Sequence, residues 1–506
     1  MATILRTRDG RLDAGDAAAL DSLLRRIAEG SPNILLHLHG GLVDQAAAES
    51  MAARLSGSGD AAYNAPADWE QIYLVWRTGA LETLRTNWTE LANNDRLYRA
   101  LLKRLITFAS GKVRTGVAGR SLAADGGFTE AEVARRLSSG DDRPFGDVDD
   151  ATMADPAASR AQVDETAEDD LALELERDVD LEDAAADIEA ALAEERPGVA
   201  RSTAGGDPVA GRAALHRLSR PVRAELEVDA DAAATRSIFG TEVFRRVIVH
   251  GVAIGTRVLR RYRSGRDHGL HATVVEEIAR ELYGDLIGSV VWGMMKGDAS
   301  EHFGPEALGH RLISAVAANP DARLLIVAHS AGSILATDML LWAAREDLPL
   351  QADVVFLAPA VRTRKFAEAL ERSNGAIARF RSFAMHDDLE RRDVLLGRGL
   401  GFIYPSSLLY LVSGLFEEEA AEGLADAPLL GMQRFVAGDS PWLDDPEEGP
   451  PLRRVREFLS EQPNRTVFAK VSGGDGLSCD AVSHGGFDDE TATLRSVIHF
   501  LGEGRG

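Results

Sequence analysis

Residues 328–332, AHSAG, place a serine where an apolar run ends and small residues begin. The run 324–328 is typical of a buried strand, and the residues after Gly332 have the pattern of a helix. A serine on such a sharp strand-to-helix turn exposes its hydroxyl above the sheet edge, where it can act as a nucleophile. The N–H of Ala331 would lie at the helix N-terminus and could stabilise an oxyanion. The alternative is that Ser330 only caps the helix.

This strand–turn–helix pattern resembles that of the α/β-hydrolase superfamily. AHSAG is similar to the variant of the serine turn in which alanine replaces the first glycine, as in some bacterial lipases. The resemblance covers residues 1–95, 305–390 and 463–506. It implies an α/β-hydrolase fold, in which a mostly parallel central sheet is flanked by helices. Residues 96–304 and 391–462 are then two large insertions in one catalytic domain.

The resemblance also implies a histidine in the loop between the last strand and the last helix. His484 lies there, in SHGGFDDETATLRSVIHFL. It further implies an acid just past a strand between the serine and the histidine. The segment FAMHDDLERRD offers Asp387 and Asp388, with Glu390 and Asp393 behind them. Asp387 is preferred over Asp388 because an apolar residue, here Leu389, often stands two places after the acid in the superfamily.

A second oxyanion donor is expected from the turn His39-Gly40-Gly41-Leu42, which follows the first long strand. Glycines let the backbone approach a ligand closely and adopt a positive φ. We assign the donor to the N–H of Gly41, with that of Leu42 as the alternative. The simpler interpretation is an ordinary Gly-Gly turn.

Other histidines also attract interest as metal ligands or catalytic groups. His329 precedes the serine, but adjacent side chains on a sharp turn diverge, so it is expected to be a packing residue. His37 and His39 lie on one face of a strand, where hydrogen-bonded strand histidines are more common than a metal pair.

The predicted chemistry is nucleophilic catalysis through an acyl-enzyme. Ser330 attacks an acyl carbonyl, His484 takes its proton, and Asp387 orients the imidazole. The amides of Gly41 and Ala331 hold the oxyanion, and the scheme needs no metal or organic cofactor. The expected substrate is a small-molecule or lipid-like carboxylic ester. A serine peptidase or amidase, an acyltransferase, and a binding module with an inactive site are the alternatives.

Composition limits the other functions of the chain. Its 506 residues contain 80 acidic and 56 basic side chains, for a net charge of −24. Such a negative body is repelled by nucleic acid. One cysteine, Cys479, excludes an internal disulfide and zinc sites of the CxxC type. No secretory signal and no apolar stretch long enough to span a bilayer are visible, so a cytoplasmic protein is expected.

Much of the negative charge lies in one tract of the first insertion. Residues 141–196 contain 21 acidic and 4 basic side chains. The surrounding segment 111–234 is expected to be partly disordered, and 235–295 to form lid-like helices. A solvated spacer is the simplest role for the tract, with a docking site for a basic protein partner or an autoinhibitory flap as alternatives. In the second insertion, residues 402–416 are either the wall of an acyl pocket or plain core.

Overall fold

An eight-stranded sheet lies at the centre of the chain, in the order β2-β1-β4-β3-β5-β6-β7-β8. All its neighbouring strands are parallel except the pair β1–β2. The α/β class predicted from the sequence is therefore confirmed. The strands are β1 (Ala2–Arg8), β2 (Arg11–Leu12), β3 (Asn33–Leu38), β4 (Trp69–Trp76), β5 (Arg323–His329), β6 (Ala352–Leu357), β7 (Ile377–Met385) and β8 (Thr466–Ala469).

The computed structural model describes residues 2–30, 32–41, 43–76, 81–113, 127–154, 167–194, 206–234, 239–284, 289–373, 375–417 and 425–502. The sheet combines strands from three distant parts of the sequence, because β4 and β5 are separated by the first insertion and β7 and β8 by the second. Every residue of β6 is buried, as are all residues of β5 except Arg323. Helices on both faces explain such continuous apolar strands.

Helices pack around the sheet and form most of the insertions. Those of the core are α1 (Ala17–Glu29), α2 (Gln45–Ser56), α14 (Leu308–Ala317), α15 (Gly332–Arg345), α16 (Thr363–Arg372) and α21 (Thr491–Gly502). Helix α3 (Leu81–Asn94) ends the first part of the core. The first insertion has α4 (Arg96–Lys112), α5 (Glu130–Leu137), α6 (Gly146–Ala154), α7 (Ala167–Glu176), α8 (Val179–Glu194), α9 (Pro208–Arg217), α10 (Arg220–Ala234), α11 (Phe239–Ser264), α12 (Leu270–Leu282) and α13 (Ser289–Glu301). After β7 come α17 (Asp387–Glu390), α18 (Leu408–Leu411), α19 (Gln433–Val436) and α20 (Gly449–Ser460), and a hairpin of β9 (Val471–Ser472) and β10 (Ser478–Cys479) follows β8.

The described parts of the acidic tract, residues 141–154 and 167–194, are mostly helical. The partial disorder expected for 111–234 stays a prediction. Residues 114–126, 155–166 and 195–205 of the segment 111–234 lie outside the described residues. Helix α8 buries an apolar stripe, and its acids face the basic helix α4. Arg96 pairs with Asp187 at 2.9 Å, and Arg104 pairs with Asp178 at 2.7 Å. The composition of the tract by itself does not reveal a basic helix far away in the sequence, so it suggests a solvated chain.

Buried polar contacts join the two insertions. His268, which precedes α12, lies 2.8 Å from Glu276 and 2.8 Å from Asp426 of the second insertion. Arg434 pairs with Asp426 at 3.2 Å. The run 402–416, considered above as a pocket wall or as core, is mostly core, with Leu408 also lining a cavity. None of the helices in the described ranges is both long enough and apolar enough to cross a membrane.

Candidate active site

Ser330 lies on a strained turn between β5 and α15. Its φ is +51°, in the left-handed region that residues with a side chain rarely adopt. Its N–H donates to the carbonyl of Leu357 at 2.8 Å, and its carbonyl accepts from the N–H of Ala360 at 3.1 Å. These two backbone hydrogen bonds therefore hold Ser330 in a backbone conformation that is unfavourable for a residue with a side chain. Such strain is concentrated at functional sites.

Gly332 allows this turn to pack tightly against β3. A Cβ at Gly332 would lie 2.3 Å from the carbonyl oxygen of Leu38 and 3.0 Å from that of His39. Since backbone lies on the other side of the contact, no side chain can move away to make room. The small residue that the sequence places two positions after the serine is thus a packing requirement.

His484 meets the serine from the loop before α21, as predicted. Its Nε2 is 2.8 Å from Ser330 Oγ. The backbone of His484 is held on both sides: its N–H donates to Asp393 Oδ2 at 2.7 Å, and its carbonyl is 2.8 Å from Nε2 of His329. The structure therefore brings together two of the three predicted triad residues.

The imidazole of His484 is neutral in this environment. Burial, together with the neighbouring His329, lowers the pKa of His484 to about 3. Its Nδ1 is buried and has no hydrogen-bond partner among the described residues. When Nε2 accepts the serine proton, Nδ1 carries the other ring proton, so a donor lies at the back of the ring without an acceptor.

The third predicted residue, Asp387, lies elsewhere, and its assignment needs correction. Its carboxylate accepts from the Tyr410 hydroxyl at 2.5 Å and from Arg391 Nε at 3.2 Å. Burial acts against its charge, but Arg391 and Arg434 prevail and lower the pKa of Asp387. Both partners, Tyr410 and Arg391, belong to the second insertion. The spacing between Asp387 and Leu389 gives no information about them.

The alternative acid is not at His484 either. The Asp388 carboxylate is half exposed and faces Arg392 at 3.9 Å. Both candidates lie on the short helix α17, directly after β7. The chain contacts the loop that carries His484 only further on, at Asp393.

Asp393 is the carboxylate that contacts His484. It lines the same cavity as Ser330, and burial raises the pKa of Asp393 to about 6. Asp393 stands behind the preferred pair in the sequence, whereas an acid just past the strand was expected. The acidic residues of 387–393 indicated that this segment could supply the acid. Their spacing did not identify which of them contacts His484.

The two glycines of the predicted oxyanion turn lie beside the serine. A Cβ at Gly40 would be 3.2 Å from Ser330 Cβ. A Cβ at Gly41 would be 2.1 Å from Met295 Sδ and 2.7 Å from Ala331 Cβ, so Gly41 lies between helix α13 and the residue after the serine. Ala331 is the N-cap of α15. The alternative donor, Leu42, lies outside the described residues.

A cavity of about 210 Å³ opens onto the serine. Apolar side chains form part of its wall, and His329, Asp393 and the oxyanion turn complete it. Its lining residues are Gly40, Gly41, Val43, His329, Ser330, Asp393, Leu395, Leu408, His484 and Gly485. The site is therefore a small, largely apolar pocket whose wall includes Ser330, His484 and Asp393.

The strand histidines have protein partners. His37 Nδ1 is 2.8 Å from the Tyr63 hydroxyl, and His39 Nδ1 is 2.7 Å from the Gly40 carbonyl. His39 Nε2 accepts the N–H of Trp76 at 3.2 Å, so its ring also supports the glycine turn.

One group of carboxylates has the spacing of a cation site. Asp9, Asp298 and Glu301 each place an oxygen within 4.8 Å of the others. They lie at the β1–β2 turn and the end of α13, and the cavity lining includes none of them. Asp298 already accepts the N–H of Gly10 at 2.9 Å, which explains its burial as a support of the turn.

Compared with protein-family models, with curated proteins and with solved structures, the chain matches none of them.

Proposed function

We propose that the chain is an α/β-hydrolase-type serine hydrolase that cleaves carboxylic esters. The observation that carries this proposal is the 2.8 Å contact of Ser330 Oγ with His484 Nε2. It occurs on a strained strand-to-helix turn that faces a cavity. An N-cap serine needs neither a positive φ nor a histidine at its hydroxyl. A nucleophile needs both exposure to the pocket and an adjacent base.

The proposed mechanism starts with proton transfer. His484 takes the proton of Ser330 while Oγ forms a bond to the acyl carbonyl carbon. The carbonyl oxygen becomes an oxyanion beside Gly41 and Ala331, whose amides are the proposed donors. The His484 cation then protonates the leaving alcohol as its bond to the carbonyl carbon breaks. Water attacks the acyl-enzyme by the same sequence and releases the acid and Ser330.

We assign the triad acid to Asp393 in place of Asp387. His484 Nδ1 is buried without a hydrogen-bond partner among the described residues, and a carboxylate there would stabilise the cation that forms when His484 takes the serine proton. Asp393 already bonds the backbone N–H of His484, so a change in the side-chain torsions of these two residues would bring a carboxylate oxygen to Nδ1. Catalytic hydrogen bonds are often incomplete in free enzymes and close when the substrate binds.

The cavity supports a small acyl group as the substrate. Ligand pockets commonly span about 300–1,000 Å³, and the 210 Å³ found here is below that range. Val43, Leu395 and Leu408 offer apolar contacts. We therefore propose short, apolar acyl esters rather than long lipid chains.

An active-site probe tests the function directly. A fluorophosphonate should label the purified protein at Ser330, and the Ser330→Ala variant should not be labelled. If the folded parent protein is not labelled, a binding module is favoured over an enzyme. A panel of p-nitrophenyl esters of rising chain length, assayed beside peptide anilides, separates an esterase from a peptidase. We expect the highest kcat/KM for short esters.

A further inference from the structure

His329 and Asp488 form a buried pair directly behind His484. His329 Nδ1 lies 3.3 Å from Asp488 Oδ2, and its Nε2 lies 2.8 Å from the His484 carbonyl. Both side chains are more than nine-tenths buried. His329 therefore has polar partners on both ring nitrogens, beyond the packing role expected from the sequence.

The geometry determines the protonation of His329. A carbonyl oxygen only accepts hydrogen bonds, so Nε2 must carry a proton. A carboxylate at Nδ1 favours a proton there as well, which makes the ring a cation. Burial disfavours that cation, but Asp488 prevails and raises the pKa of His329. In return, although burial acts against its charge, Asp488 has its pKa lowered to about 2, chiefly by His329.

We propose that His329 and Asp488 are a charged positioning pair, which holds His484 through its backbone carbonyl and keeps its imidazole neutral. The pair deepens the proposed function and rests on Ser330 and His484 acting as nucleophile and base. His329 is a positioning residue here, because it acts through His484 and takes no part in bond changes.

The first part of the proposal concerns position. The loop that carries His484 begins after the β9–β10 hairpin and has no regular structure beyond one short turn, His484–Gly486. Asp393 holds the N–H of His484, and His329 holds its carbonyl. Because His329 immediately precedes Ser330, its bond fixes the base relative to the strand that carries the nucleophile.

The second part concerns charge. The rings of His329 and His484 are 5.4 Å apart. A cation at that distance disfavours a second positive charge, and His329 contributes to the low pKa of His484. Asp488 acts in the opposite direction, but it contacts His329 rather than His484. Burial is the larger cause of the low pKa of His484, and the His329 charge acts in the same direction, so Nε2 stays unprotonated and able to accept the serine proton.

The other ionisable groups around the pair do not supply this charge. His37 and His39 are neutral, since burial lowers their pKa to about 3 and about 4. Arg54 of α2 donates to the carbonyl of Asp488 at 2.8 Å and pairs with Asp489. These bonds anchor the loop from its far side. Asp393 faces the N–H side of His484, opposite its bond to His329.

Three variants separate position from charge. His329→Gln keeps an N–H donor for the His484 carbonyl but removes the charge. His329→Leu removes both. Asp488→Asn leaves the imidazole without its counter-ion, and Asp480→Asn is the matched control, because Asp480 is an exposed acid of the same region.

The first measurement is an NMR titration of histidines labelled at ring carbons. One signal, identified by its loss in His329→Gln, should remain in the imidazolium form at neutral pH and should titrate lower in Asp488→Asn. The His484 signal should titrate about one pH unit higher in His329→Gln, the size expected for removing a charge at this distance. Asp480→Asn should leave both unchanged. A neutral His329 in the parent protein, or an unchanged His484 in His329→Gln, would overturn the proposal.

The second measurement is the rate of fluorophosphonate labelling against pH. At about pH 9, His329→Gln should label within a few-fold of the parent, whereas His329→Leu should be about 10²-fold slower, as for a base displaced by about 1 Å. Equal rates for the Gln and Leu variants would contradict the positioning role. Absence of labelling in the parent would refute the proposed function, while the NMR result would still decide whether the charged pair exists.

Discussion

A methyl group at Gly332 should disable the site without touching the substrate. The Cβ of Gly332→Ala would lie 2.3 Å from the Leu38 carbonyl oxygen. Normal contact requires about 1 Å more, so the serine turn and β3 must separate. Overpacking of this kind costs about 1–3 kcal/mol of folding free energy. Because Gly40 and Gly41 follow β3, the same movement separates Ser330 from its oxyanion turn, and about 1 Å of misplacement costs about 10²-fold in rate.

Labelling kinetics and urea unfolding together measure these two effects. The matched control is Gly297→Ala, a helical glycine of α13 where a Cβ would meet no atom within 4 Å. That change should leave labelling unchanged and raise stability by up to about 1 kcal/mol, because alanine favours the helix. A Gly332→Ala protein with the labelling rate and unfolding midpoint of the parent would refute the claim that the contact between β3 and the turn sets the geometry.

Three further predictions concern the acid, the pocket and the acidic tract. Asp393→Asn should slow ester hydrolysis by about 10²–10⁴-fold, whereas Asp387→Asn should retain most activity in whatever fraction is folded. Since burial raises the pKa of Asp393 to about 6, the folded state holds its proton more tightly than the unfolded chain. Ionisation of that carboxyl therefore lowers the free energy of unfolding as the pH rises from about 4 through 6. The Asp393→Asn variant should have a higher Tm than the parent at neutral pH but not at about pH 4. An unchanged rate or a reversed pH trend would rule out this assignment. Leu408→Ala should shift the ester-chain optimum upwards at a stability cost of about 2–5 kcal/mol, because Leu408 is buried and lines the cavity. An unchanged chain-length profile in a folded variant would contradict it. Arg104→Gln should lower the urea midpoint more than Lys112→Gln, because Arg104 faces the buried Asp178 while Lys112 faces the half-exposed Asp170; equal midpoints would show that these pairs do not order the tract.

Local pattern was sufficient to predict the sheet and the turn that carries the serine. Apolar runs bounded by glycine or small residues correspond to β3 and β5, and the strained Ser330 lies where the second of them ends. His484 was also predictable, because its loop precedes the last helix. These features depend on residues close together in the sequence.

The acid of the proposed triad was not predictable, because the carboxylate near His484 is determined by contacts between distant segments. Asp387 has suitable spacing, but Tyr410 and Arg391 bind its carboxylate. Asp393 meets His484 only because the chain passes the catalytic loop on its way into the second insertion. The role of His329 has the same origin, since its partners lie more than 150 residues further along the chain.

The acidic tract shows a related limit of composition. Its 17 excess negative charges suggested a solvated segment. In the structure, Asp178 and Asp187 of this tract are buried and pair with the basic helix α4. These two acids of the tract therefore pair with a helix of the same chain.

The most direct test of the central claim is to identify the residue that a fluorophosphonate modifies. Mass spectrometry of the labelled, digested protein should find the phosphonyl group on Ser330. Labelling should be lost in Ser330→Ala and slowed by at least about 10²-fold in His484→Asn. Labelling at another residue, or none in a folded parent protein, would contradict the assignment of Ser330 and His484 as nucleophile and base.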